Sequence, residues 1–132
     1  MTLKQMDIRQ LKPGPGATIT KMDTTKYNTT YDVLKAGIDD ATLDVVQVGD
    51  LDIWVDDEGL LKGLDPTIII KRSEGDSITE MDTLLVGPVV FAGSNQQGDT
   101  VGLSPKAIKI IESMQPAIIN MDGGKPVYVI QV

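Results

Sequence analysis

Two stretches of this chain hold residue types that could do chemistry. The first is GDLDIWVDDEGLLKGL, residues 49–64, where the single tryptophan, Trp54, sits among Asp50, Asp52, Asp56, Asp57 and Glu58. No basic residue follows until Lys62, and between residues 36 and 61 there are eight acids, Asp39, Asp40 and Asp44 included, and no Lys or Arg. Carboxylates in this density suit a cation site, a pair of acid and base catalysts, or a surface for a basic partner. The second stretch is Gly93-Ser94-Asn95-Gln96-Gln97-Gly98-Asp99-Thr100, which has the G-x-x-x-x-G-x-T frame of a phosphate-binding loop.

The phosphate reading fails at one position. A P-loop needs Lys where this chain has Asp99, and a carboxylate there repels the phosphates it should neutralise. The stretch reads instead as a Gly-bounded polar hairpin loop, whose Asn95, Gln96 and Gln97 could hydrogen-bond a neutral ligand edge. The acids do not have calcium-loop spacing either, since neither residues 50–59 nor residues 120–124 supply the Glu required after the Gly. A glycosidase pair needs a walled pocket that separates two pKa values, which an open hairpin face lacks. We therefore assign no catalytic residue, no metal ligand and no cofactor.

Composition narrows the chemistry further. The chain has no Cys and no His, which excludes disulfides, Cys or His zinc sites, thiolate nucleophiles and Ser-His-Asp triads. A net charge of −7 argues against direct nucleic-acid binding, which depends on cationic contacts to phosphate. It is compatible with a protein partner of basic surface. There is no 18-residue apolar run for a membrane span and no signal-peptide h-region, so a cytoplasmic protein is expected.

The elements that must position these residues are legible in part. At 132 residues the chain suits one domain, with residues 1–16 a short arm, containing one edge strand and ending in Pro13-Gly14-Pro15-Gly16, and residues 17–132 the domain proper. Residues 17–23 alternate as a first strand. Thr29 caps a helix over about 30–37, and Ser104-Pro105 opens one over about 105–114, where Ala107, Ile110, Ile111 and Met114 share a face. Residues 43–48 and 51–56 form a hairpin about Gly49-Asp50, and residues 60–62 extend it to a three-strand meander over 43–63. Within it Leu51, Ile53 and Val55 face the core, so the acids Asp52 and Asp56 are expected on the solvent side. Trp54, on the same face, is expected either to pack under the N-terminal arm or against a helix with its indole N–H satisfied, or to be a contact residue for a partner. Residues 67–71 and 126–132 read as strands, and residues 84–92 as an edge or bulged strand because of Pro88. The whole is an α+β fold with a mostly antiparallel sheet of five to seven strands and two short helices.

VDDEGLLKGL (55–64), LLVGPVVFAG (84–93) and GDTVGLSPKAI (98–108) together resemble a family of small uncharacterised proteins found mainly in bacteriophages, prophages and plasmids of bacteria. The likeness covers residues 43–108, and Asp82 and Gly87 stand where the family pattern has an Asp and a Gly. The L-P-x-N-R-like stretch of the family is replaced here by Leu64-Asp65-Pro66-Thr67-Ile68. The resemblance implies a mobile-element accessory protein that works by binding, for example by inhibiting a host factor.

Three functional readings follow. The first is a non-enzymatic protein that binds a basic partner through Trp54, Asp52, Asp56 and Asp44. The second is a small-ligand or signalling-nucleotide binder that uses Asn95, Gln96 and Gln97, possible at the interface of a homo-oligomer. The third is an enzyme built on Asp and Lys.

Overall fold

The computed structural model describes residues 1–14, 16–118 and 126–132, with the backbone alone at Ile118. Pro15 and the 120–124 stretch weighed above as a calcium loop lie outside the described residues. The chain order is β1 (Arg9–Leu11), β2 (Thr20–Lys21), α1 (Thr30–Gly37), β3 (Leu43–Val48), β4 (Leu51–Asp56), β5 (Pro66–Lys71), β6 (Thr83–Val86), β7 (Val89–Ser94), β8 (Thr100–Val101), α2 (Pro105–Glu112), β9 (Gln115–Ile118) and β10 (Pro126–Gln131). The strands form two sheets. One runs β2-β1-β7-β4-β3 with β8 attached to the end of β7, and the other runs β6-β5-β10-β9. All pairings are antiparallel except β5 with β10. The fold is thus α+β, with ten short strands among the described residues, more than the five to seven expected.

Both helices begin where their caps place them. Thr29 Oγ1 accepts from Asp32 N at 3.1 Å, and Ser104 Oγ accepts from Ala107 N at 3.2 Å with Pro105 at the first helical position. The main core lies between the sheets. It joins Leu51, Ile53 and Val55 of β4 and Val89 and Phe91 of β7 to Ile68 and Ile70 of β5, and α2 closes it with Ala107 and Ile111. A second core covers the opposite face of the larger sheet. There Val33, Leu34 and Ile38 of α1 and its C-terminal end pack with Ile8 on Val90 and Ala92 of β7. Because β7 is buried on both faces, VVFA reads as a continuous apolar run without alternation. The α1 contact requires Gly37, where a Cβ would lie 2.2 Å from Val90 Cγ2.

Several expectations change. Arg9–Leu11 of the N-terminal segment form an internal strand between β2 and β7, and only Thr20–Lys21 of residues 17–23 is strand. Pro88 does not lie within one edge or bulged strand: of residues 84–92, only 84–86 stand at a sheet edge, in β6. Pro88 stands with Gly87 at a corner that carries one apolar run from β6 in the smaller sheet to β7 in the middle of the larger. Gly87 has φ +75, a backbone conformation that strains any L side chain, and its α-carbon faces the Leu64 side chain, which would have to shift for a Cβ. Residues 60–62 are not a third meander strand. Residues 57–63 are turns, closed by Lys62 N to Glu58 O at 3.0 Å and Leu64 N to Gly59 O at 3.1 Å.

Candidate functional site

The hairpin β3–β4 turns at Gly49-Asp50 with Val48 opposite Leu51. The register of β4 on β7 pairs Asp52 with Ala92, which brings the turn beside the β7–β8 loop. The segment 102–104 that leads into α2 passes the same corner. A cavity of about 240 Å³ lies where these three loops meet, lined by Gln47, Asp50, Asp52, Gly93, Ser94 and Ser104 together with Gly49, Val101 and Gly102. The two stretches singled out in the sequence therefore converge, though through Asp52 and Ser94 and not through Trp54 and Asn95.

Asp52 is the unusual member. It is 4% exposed, yet no cation pairs with it among the described residues. Its Oδ1 accepts from Gln47 Nε2 at 3.1 Å, and that is its one hydrogen bond among them. The other oxygen is not sealed in apolar packing, and the side chain forms part of the cavity wall. A carboxylate held out of bulk water without a counter-charge is stabilised by any cation that enters beside it. Asp50 in the turn adds a second negative charge at the same cavity.

Asp52, Trp54 and Asp56 do not form a solvent face: the two acids differ from expectation, and Trp54 takes the packed alternative against a helix. They do share a face, but Asp52 and Asp56 are buried and Trp54 is half-buried against the α1 core. Alternation distinguishes the two faces of a strand and does not say that one of them meets water. Trp54 lies between Val45 and Val90 across the ladders, and its Nε1 is buried with no hydrogen-bond partner among the described residues. Asp56 organises the following turn. Its Oδ1 accepts from Glu58 N at 2.8 Å and its Oδ2 pairs with Lys62 Nζ at 2.8 Å. Burial pushes the Asp56 carboxyl up, but Lys62 and the Glu58 N–H outweigh it, so the net shift is below the ordinary value. Asp44 is exposed on the opposite face of the sheet, the face of its ladder partner Val55.

Asn95, Gln96 and Gln97 form the exposed tip of the β7–β8 loop. Asn95 Oδ1 accepts from Gln97 N at 3.0 Å and Asp99 N at 2.9 Å, so this side chain holds the turn. The structure brings Asp52 to the cavity and leaves Trp54, Asp56, Asp44 and the Asn-Gln-Gln tip elsewhere. Gln47, Ser94 and Ser104 were missed as cavity residues. Ser94 has a signal, since it opens the Gly-bounded loop; Gln47 reaches the site through the β3–β4 pairing, and Ser104 through the segment that runs from β8 into α2.

One further polar constellation is built into the smaller sheet. Lys71 Nζ, at the end of β5, lies 2.5 Å from Ser73 Oγ, 2.8 Å from Ser77 O and 3.4 Å from Asp82 Oδ2. Asp82 also accepts from Arg72 N, Ser73 N and Thr79 N, at 2.8, 2.9 and 2.9 Å. The Thr79 N–H first of all, then Ser73 and Arg72, hold its carboxyl far below the ordinary range despite burial. Every lone pair is committed to closing loop 72–82, so this is an anchor and not an open Lys–Ser dyad. It gives the Asp of the family pattern a structural role.

Among the described residues no group of three or more carboxylates converges to hold a metal ion, and no helix is long and apolar enough to cross a membrane. A family model described as a domain of unknown function (DUF3846) matches residues 8–116, most of the chain. No curated protein and no solved structure matches it.

Proposed function

The chain belongs to the DUF3846 family of uncharacterised domains, and on that premise we propose that it is a non-enzymatic binding protein whose cavity at Asp52 receives a basic side chain of a protein partner. The observation that supports this most is a carboxylate 4% exposed, with one amide hydrogen bond and no cation among the described residues, on the wall of a polar cavity. A lysine ammonium or arginine guanidinium supplies the missing counter-charge, and Gln47, Ser94 and Ser104 offer it further oxygens. At about 240 Å³ the cavity is below the ~300–1,000 Å³ typical of small-molecule sites and suits one side-chain head group. Its two carboxylates oppose phosphate, which favours a cationic group over a signalling nucleotide at this position. The accessory role in a phage, prophage or plasmid, the inhibition of a host factor and the cytoplasmic setting belong to the same proposal; the sequence resemblance supports the first two.

The test is partner capture from bacterial lysate with the wild-type chain and Asp52→Lys as paired baits, after circular dichroism has shown both to be folded. A basic protein retained by the wild type and lost with Asp52→Lys is the expected result. An identical captured set from both baits would sink the reading.

A further inference from the structure

The two sheets leave β3 and β6 as edge strands, and a second cavity of about 210 Å³ lies between them. Asp44, Val46, Asp57, Leu60 and Leu84 contribute to its walls. At its brim Leu60 and its neighbour Leu61 are 72% and 90% exposed. The hydrogen bond from Asp57 N to Thr42 O sets the phase of the β3–β4 ladder. Asp44, Val46 and Val48 then bond to β4, and the N–H and C=O groups of Leu43, Val45 and Gln47 point outward. β3 has six residues and carries neither Lys nor Pro, the usual guards of an open edge. One guard exists: Asp44 Oδ1 accepts from Val45 N at 2.8 Å, occupying an outward donor with a side chain that can leave it.

We propose that β3 takes an extended basic segment of a protein partner as an added strand, with a Lys or Arg opposite Asp44 and an apolar residue opposite Val46. Those two positions lie two residues apart, so both side chains point into the groove between the sheets. The cation meets Asp44 and Asp57, and the apolar residue covers Val46, Leu60 and Leu84. Main-chain hydrogen bonds to the β3 edge supply affinity, and the groove supplies the choice of side chain. The same acids repel a second copy of this chain, which favours a basic partner over self-pairing. This inference rests on the reading of a basic protein partner but uses a surface separate from the Asp52 cavity.

The probe is a fluorescein-labelled ten-residue peptide of repeating Lys-Thr-Val-Thr, titrated by polarisation and by amide shifts of the ¹⁵N-labelled full chain. We expect shifts at residues 43–48 and 84–86 and slowed exchange of the Val45 N–H. Val45→Pro removes an outward donor and no bond to β4, and Asp44→Lys reverses an exposed charge; each should weaken binding about tenfold or more. Shifts confined to residues 47–52 and 93–104, lost with Asp52→Asn but not with either β3 variant, would overturn the strand addition and leave the cavity reading standing. No binding at about 1 mM peptide, a free energy near −4 kcal/mol, would overturn both.

Discussion

Replacing Trp54 by Phe sets two opposed effects against each other. The indole N–H is buried without a partner among the described residues, and an unsatisfied donor costs about 1–3 kcal/mol. Phe removes that donor. It also removes roughly 40 Å² of ring surface, worth about 1 kcal/mol at 25 cal/mol per Å². A small void beside Val45 and Val90 adds about 0.5–1 kcal/mol more. The sums nearly cancel, so Trp54→Phe should leave stability within about 1 kcal/mol of wild type. Trp54→Ala loses the whole ring from the α1 core and should cost about 2–4 kcal/mol, discounted from a fully buried site because Trp54 is half-exposed. Urea unfolding followed by far-ultraviolet circular dichroism is the assay, since fluorescence disappears with the only tryptophan. A loss above about 2 kcal/mol for Trp54→Phe would refute the reasoning, because it would mean that the N–H is bonded.

Gly87→Ala should destabilise by about 1–2 kcal/mol from the positive φ, with the Leu64 side chain moving aside for the Cβ; a urea midpoint equal to wild type would show that the corner between the sheets relaxes freely. Asp40 has φ +61 beyond α1, so Asp40→Gly should raise stability by up to about 1 kcal/mol, read as a higher urea midpoint at unchanged slope. The carboxyls of Asp7, Asp56 and Asp82 are all held below their ordinary 3.8, Asp7 chiefly by the hydrogen bond from Arg9. A folded-state pKa below the unfolded one gives stability that is complete above about pH 4 and is lost as pH falls toward the folded values. Acid titration of the urea midpoint should show that loss, and Asp82→Asn should make it shallower.

Both helices were legible because their signals are local: Thr29 before α1, and Ser104-Pro105 before α2, act within three residues. The β3–β4 hairpin was legible for the same reason, through Gly49-Asp50. The sheet order was not, since it depends on contacts such as β5 with β10, about sixty residues apart in sequence. Leu60-Leu61-Lys62 resembles a strand by composition, but Asp56 gathers the Glu58 N–H and the Lys62 ammonium and folds the segment into turns. The acids at 52 and 56 were misread for a related reason. A carboxylate facing water and one facing a polar cavity or an ion pair give the same alternation. Charge and the neighbouring Trp54 single out Asp52 in the sequence; its companions Gln47, Ser94 and Ser104 come together only when three loops meet.

The proposed role of Asp52 is binding and not folding. Its most direct test compares wild type with Asp52→Asn in one experiment: unfolding free energy from urea, and affinity for an arginine-containing peptide from amide shifts at Gln47, Asp52 and Ser94. Asn keeps an acceptor for Gln47 and removes the charge, with an NH2 donor in place of the cavity-facing oxygen. The account predicts stability within about 1 kcal/mol of wild type and affinity at least tenfold weaker. A stability loss beyond about 2 kcal/mol with unchanged affinity would contradict it, and would make Asp52 a structural residue.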